Sequence, residues 1–266
     1  MDVEGVMATV GQRSRWAWRT VATVIAVPML VISAFQVTSV LAREDREEVV
    51  EVDASGLALL DVDNEAGRVR VVGVPDAGAV RVHASIRDGL RSTGHHIERR
   101  ADRLLVRGSC PVVGSTWCRA DYTIEVPRDL AVAVAGRGNL TITDVDGRVT
   151  VETRQSSATL ERVGGDIVAR TQQGGVTGSG LRSANVDASS RQGSITLGFA
   201  ESPRSVSASA RQGSIEVVLP DEEGIAYAVD PSASQGSETI LIRSDPESTR
   251  SLILRTHQGS ITARYG

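Results

Sequence analysis

From Val49 onward, apolar and polar residues alternate along the chain. Arg68-Val69-Arg70-Val71, Val80-Arg81-Val82-His83-Ala84-Ser85-Ile86, Tyr122-Thr123-Ile124-Glu125-Val126 and Leu140-Thr141-Ile142-Thr143 all follow this pattern. Successive side chains of a strand point to opposite faces, so each segment is expected to bury one row and wet the other. Gly, Asn, Asp and Ser separate the segments and supply turn conformations. No stretch after Glu48 keeps a helical repeat over about ten residues. The pattern predicts an all-β domain.

Its second half repeats internally. Gln192-Gly193-Ser194-Ile195, Gln212-Gly213-Ser214-Ile215, Gln235-Gly236-Ser237 and Gln258-Gly259-Ser260-Ile261 recur at intervals of 20, 23 and 23 residues. Gln173-Gly174-Gly175-Val176 and Gln155-Ser156-Ser157-Ala158 extend the series backward by 19 and 18. A unit of about 20 residues cannot bury its own apolar face, whereas stacked units can. Between Pro127 and Pro203 no proline interrupts backbone pairing. Two architectures fit this period. In a β-solenoid each repeat is a coil, parallel strands stack, and corners at Gly174, Gly193, Gly213, Gly236 and Gly259 align about 4.8 Å apart. In an antiparallel meander or sandwich each repeat is a hairpin, and the corners fall at twice that spacing. The solenoid is the expected form, because its narrow interior suits small branched side chains and a sandwich core calls for more aromatics. Glycine allows a sharp turn in the left-handed region. The glutamines before the glycines either form a stacked amide ladder or remain solvated. Arg264-Tyr265-Gly266 would leave the final strand as an uncapped edge.

Upstream of this domain, residues 20–42 form a run of 23 without a charge. As a helix they would extend roughly 34 Å, enough to cross a hydrocarbon core of about 30 Å, with Pro28 as a kink. Arg13, Arg15 and Arg19 precede the run, with Trp16 and Trp18 at headgroup level, and Arg43-Glu44-Asp45-Arg46-Glu47-Glu48 follows it. This asymmetry places the N-terminus in the cytoplasm and the rest outside. The competing reading is a signal peptide cleaved after Val40-Leu41-Ala42; both export the same domain. The expected organisation is a tail (1–19), a span (20–42), a charged linker (43–50), a first β region with a disulfide loop (51–127) and the repeats (128–266).

Composition narrows the functional classes. The 266 residues are 41% hydrophobic and 3% aromatic, with 26 glycines, and all 29 basic residues are arginine. A net charge of −4 argues against a nucleic-acid partner. Cys110 and Cys118, in a turn-rich segment outside the membrane, are expected to form one disulfide closing a short loop, worth roughly 2.5 kcal/mol in the loop-entropy model. A redox pair would need C-x-x-C spacing, and a zinc site with His95 and His96 matches no template. His83 and His257 sit on polar rows. Gly136-Arg137-Gly138 lacks the remainder of a nucleotide loop, and Gly164-Gly165-Asp166 does not sustain a calcium-binding period. The acid pairs Asp61/Asp63 and Asp144/Asp146 invite comparison with glycosidases, but a turn-flanking, water-facing role is expected. The reading assigns no catalytic residue, cofactor or metal.

Leu60-Asp-Val-Asp-Asn-Glu-Ala-Gly-Arg-Val-Arg-Val-Val-Gly73, the cysteine pair running into Tyr122-Thr-Ile-Glu-Val-Pro127, and the serial Gly-Ser-Ile corners form an ordered set. The chain resembles the bacterial putative-adhesin family of β-strand-repeat cell-envelope proteins over residues 45–266. That resemblance implies a β-helical ectodomain and carries over no catalytic residues. Here the family's usual Gly-Asp-Val corner is mostly Gly-Ser-Ile, and Ser156-Ser157 replaces glycine in one repeat. The expectation is a non-enzymatic, membrane-anchored envelope protein that presents a rigid surface to an envelope protein or glycan. The alternatives are an accessory of envelope-stress signalling and a polysaccharide-active enzyme.

Overall fold

The computed structural model describes residues 44–88, 93–110 and 118–266. The tail and the apolar run at 20–42 lie outside the described residues, among which no helix is long and apolar enough to cross a membrane. The described chain is all β. The first seven strands are β1 (Glu44–Asp53), β2 (Leu59–Asn64), β3 (Val69–Val74), β4 (Ala79–Asp88), β5 (Gly94–Arg100), β6 (Arg103–Ser109) and β7 (Arg119–Pro127). The next seven are β8 (Ala131–Gly136), β9 (Leu140–Thr143), β10 (Val149–Thr153), β11 (Ala158–Glu161), β12 (Ile167–Gln173), β13 (Val176–Leu181) and β14 (Asn185–Gln192). The last seven are β15 (Ile195–Phe199), β16 (Ser205–Gln212), β17 (Ile215–Leu219), β18 (Ala228–Gln235), β19 (Glu238–Leu241), β20 (Ser251–Gln258) and β21 (Ile261–Tyr265).

These strands form two large mixed sheets, one of eleven strands and one of ten, and neither closes into a barrel. From β8 onward, consecutive strands alternate between the sheets, and each pairs in parallel with its neighbours in its own sheet. Antiparallel pairing is confined to β1–β4, β4–β7 and β5–β6. Burial alternates as the sequence pattern requires; β15 and β17 both bury their first, third and fifth residues. The buried rows of both sheets join in one core of Val, Ile, Leu and Ala, with Tyr122 and Tyr227 its largest fully buried side chains.

The glycine corners stack in register: Gln173, Gln192, Gln212, Gln258 and Gln235 face one another in that order. Each glycine that follows them has φ between 139° and 153°, beyond the left-handed helical region and open in practice only to glycine. The space is closed as well. A Cβ on Gly193 would lie 2.3 Å from the Gly174 carbonyl oxygen, one on Gly213 2.3 Å from that of Gly193, and one on Gly259 2.3 Å from that of Gly213. The close approach lets the Gly193 N–H reach the Gln212 carbonyl at 2.8 Å and the Gly213 N–H reach that of Gln258 at 2.8 Å. The following serines make a ladder of their own. Ser214 N–H donates to Ser194 Oγ and Ser260 N–H to Ser214 Oγ, each at 3.2 Å. The glutamine amides have one rung among the described residues, Gln258 Nε2 to Gln235 Oε1 at 3.3 Å.

Two expectations change. The charged run read as a linker is largely β1, whose Val50 and Val52 continue the period-two pattern while Arg87 holds Asp45 at 2.7 Å and Arg81 lies 3.6 Å from Glu51. The final strand is not an edge. β20 and β21 insert between β16/β17 and β18/β19, so the last repeat in sequence is the second from the end in space. Side-chain pattern accounts for the exchange. β20 and β21 bury Leu252, Leu254 and Ile261, whereas β18 carries Asp230 and Pro231 and β19 opens with exposed Glu238 where other repeats have Ile. Proline suits an edge strand, and Glu238 Oε1 accepts the Ala233 N–H at 2.6 Å, so the outermost strand pair blunts its own edge. Arg243 clasps the crossing: it donates to the Glu222 carbonyl at 2.7 Å, contacts Asp221, and lies over the Tyr265 ring at 5.3 Å.

Replacing Gly213 by Val should destabilise the protein by about 1–3 kcal/mol or more, because a strained backbone and a carbonyl clash coincide. Gln212→Ser should change stability little, and equal melting shifts for the two would refute this account of the corner. Truncation after Arg250 should make residues 221–245 protease-sensitive together, since β18 and β19 pair only with β20 and β21. Retained protection of 221–245 would contradict the inserted order.

Candidate functional site

The strand position just before each Gln-Gly corner faces outward for a simple reason. Thr153, Thr171, Ser190, Ala210 and Thr256 are buried at the preceding position, so strand alternation turns the next residue to solvent. Three of these hydroxyls are satisfied within the corner, Thr171 Oγ1 and Ser190 Oγ donating to the Gly174 carbonyl at 2.8 and 2.9 Å and Thr256 Oγ1 to that of Gly213 at 2.9 Å, whereas Thr153 Oγ1 finds no partner among the described residues. The outward residues are Arg154, Gln172, Arg191, Arg211 and His257, and Arg137 continues the row after Gly136. They border an open cavity of ≈ 1110 Å³ that runs across the ten-stranded sheet. Ala135, Ser189, Ser209 and Ser232 line it beside the arginines, and no Phe, Tyr or Trp does.

The lining holds six arginines against three carboxylates, although the whole chain carries −4. The carboxylates have partners. Asp63 pairs with Arg107 at 3.1 Å, Glu65 accepts the Cys110 N–H at 3.1 Å, and Glu152 lies 3.8 Å from Arg170. Two of the arginines are also paired, Arg170 with Asp187 at 3.5 Å and Arg255 with Asp230 at 2.8 Å. Arg137, Arg154, Arg191 and Arg211 are exposed and make no side-chain hydrogen bond or ion pair among the described residues. Arg191 and Arg211 lie side by side on neighbouring strands, a like-charge pairing that costs stability. This row escaped the sequence reading, although its signal is visible as Arg154-Gln155, Arg191-Gln192 and Arg211-Gln212 before successive corners.

The residues singled out from sequence are placed elsewhere. Cys110 and Cys118 form a disulfide, with Cα atoms 5.8 Å apart, and are thereby removed from thiol chemistry and from any zinc site. Among the described residues no cluster of three or more His, Cys, Asp or Glu could hold a metal. Asp144 is gripped by Arg162 through two bonds of 2.8 Å, which hold its carboxyl below the usual range. Asp146 is held by Arg182 at 2.6 Å. A carboxylate held ionised by a guanidinium is a poor proton donor, which is the position of Asp144. Asp61 and Asp63 share Arg107 at 3.3 and 3.1 Å, and Asp166 accepts from Asn185 at 2.9 Å. The glycine corners lie along the border of the cavity sheet and set the spacing of the arginine row.

A second polar cluster joins the sheets near the disulfide. His95 Nδ1 is hydrogen-bonded to the Tyr122 hydroxyl at 2.9 Å, their rings stack at 5.6 Å, and Glu48 lies 3.7 Å from Nε2. Asn64 donates to the Ala120 carbonyl at 2.7 Å, and Gly108 leaves the room these groups need. Burial pushes Tyr122 up to about 12 and lowers His95, with Glu48 opposing the second effect. The cluster fixes how β2, β5, β6 and β7 meet.

No family model matches the chain, and no curated protein does. Three solved structures are similar to it. A putative cell adhesion protein from Clostridium sporogenes is 12% identical, covers 84% of this chain and 100% of its own, and has a TM-score of 0.38. A putative adhesin from Bacteroides fragilis is 15% identical, covers 83% and 97%, and scores 0.43. A putative adhesin from Parabacteroides merdae is 8% identical, covers 83% and 96%, and scores 0.30.

Because burial keeps His95 neutral, folding favours loss of its proton. Its contribution is full above the ordinary value of 6.5 and declines as pH falls below it through the lowered folded value. The melting temperature of the wild-type chain should fall between pH 7 and pH 5 more than that of His95→Gln. Glu98, held at about 2 first by Arg100 and then by His96, titrates well below this window. Identical profiles for the two chains would remove His95 as the cause.

Proposed function

We propose that the protein is a non-enzymatic bacterial envelope protein, anchored by residues 20–42, whose stacked repeats form a β-solenoid that displays a binding face outside the membrane. Parallel in-register pairing and vertically stacked glycine corners support the solenoid. The charge-free run with arginines before it and acids after it supports the anchor and its orientation. A stacked array suits an extended partner, because every strand offers the same side-chain position at the same height. The binding face is the outer surface of the ten-stranded sheet. The single observation that carries this reading is the row of unpaired arginines along its cavity. Arg162 keeps Asp144 ionised and so removes it as a proton donor, which supports binding over turnover.

Purified full-length chain in detergent should be retained on isolated envelope fragments of the producing bacterium. Replacing Arg137, Arg154, Arg191 and Arg211 together by Ser should release most of it without changing the melting temperature by more than a few degrees. Protease applied to intact cells should remove the region 44–266 and leave a membrane-bound N-terminal fragment. Equal retention of the variant, or full protection in intact cells, would overturn the reading.

A further inference from the structure

The arginine row has a period, and the period selects a ligand. Strands of one sheet lie about 4.8 Å apart, so Arg137 and Arg154 are one such step apart, as are Arg191 and Arg211. Gln172 separates the two pairs, which therefore repeat over about 14 Å along the stacking direction. The adjoining row runs Ala135, Glu152, Arg170, Ser189, Ser209, Arg255 and Ser232 across the strands. It is small and hydroxylic beside Arg191 and Arg211, where it leaves a trough, and its three charged members are tied up in ion pairs. Guanidinium binds carboxylate in a planar, two-point manner, and unpaired groups need not first give up an internal partner.

We propose that this trough binds a linear acidic polysaccharide carrying one carboxylate per sugar, laid along the stacking direction of the ten-stranded sheet. The proposal rests on the reading that this face is the binding face, and it adds the chemistry of the partner. A pyranose residue extends its chain by a distance close to one strand step, and because successive residues are rotated, carboxylates return to one face every two or three sugars, the latter being the three-step repeat of the arginine pairs. An acidic peptide repeats its same-face side chains about 6.6–6.8 Å apart in an extended chain, out of step with the ~4.8 Å spacing inside each arginine pair. The trough's lining holds one aromatic ring, His257, too few to stack successive bases of a single-stranded nucleic acid. Ser189, Ser209 and Gln172 are positioned to hydrogen-bond sugar hydroxyls between the charged contacts.

The test is a titration of the full-length chain in detergent with oligogalacturonate long enough to span the row, at low and at high salt. Binding should weaken as salt rises, and should be lost when the same oligomer is fully methyl-esterified. Arg191→Ser with Arg211→Ser should weaken it roughly tenfold or more, since a charge-assisted hydrogen bond is worth about 1.5–3 kcal/mol. Arg70→Ser, an exposed arginine on the eleven-stranded sheet, should leave it unchanged. Equal affinity for the ester, or an unaltered double variant, would overturn the proposal. So would equal or tighter binding of polyglutamate or oligothymidylate. Absence of oligogalacturonate binding while envelope retention stays arginine-dependent would reject the ligand class and leave the binding face standing; loss of both would reject the face.

Discussion

Backbone meets backbone at the corners, and the rest of the molecule depends on that contact. Each corner glycine lies over the carbonyl of the residue beneath it, so close that a single methyl group at Gly193, Gly213 or Gly259 would sit 2.3 Å from oxygen. Two constraints coincide there, a φ that only glycine adopts readily and a space that only hydrogen fills. Their combination locks the register of both sheets. Once the corners are vertical, every later position in the repeat acquires a fixed height, and a row in sequence becomes a row in space.

That conversion links fold to function. Parallel stacking multiplies whatever stands at one repeat position, so arginines at 137, 154, 191 and 211 become two adjacent pairs on one face. The eleven-stranded sheet uses its outward positions otherwise, with Thr141, Thr159, Thr177 and Thr196 aligned across β9, β11, β13 and β15. Such threonine rows suit a pleated surface and carry no charge. The two faces of one repeat array therefore differ in kind.

How much of this was legible in the sequence follows from how local each cause is. The corners could be read because Gln-Gly-Ser-Ile recurs and glycine tolerates few explanations, although their φ lies beyond the left-handed region first expected. The disulfide could be read from Cys110 and Cys118 alone. The exchange of the last two repeats could not, because it is a competition between Leu252, Leu254 and Ile261 on one coil and Asp230, Pro231 and Glu238 on another for the interior place. Pro231 and the missing isoleucine after Ser237 were the available signs. His95 and Tyr122 are 27 positions apart and meet only through the pairing of β5 with β6 and the packing of the two sheets. The arginine row was hidden by its own periodicity, since a charge on the wet face of a strand reads as ordinary solvation.

What separates that row from ordinary solvation is the company it keeps. Asp144 meets Arg162, Asp146 meets Arg182, Asp61 and Asp63 meet Arg107, and Asp230 meets Arg255. Across most of this surface a cross-strand neighbour of opposite sign is supplied, the arrangement that stabilises a sheet. Along the cavity the cross-strand neighbours of Arg154, Arg191 and Arg211 are Gln172, His257 or another Arg, and Arg191 stands beside Arg211 at a cost. A chain with 33 acidic residues had the means to neutralise these positions. Leaving four cations unpaired on neighbouring coils raises the free energy of the empty surface, and an anionic ligand recovers that energy when it binds. The net charge of −4 conceals this, because it sums over pairs that have already cancelled and says nothing about the row that has not.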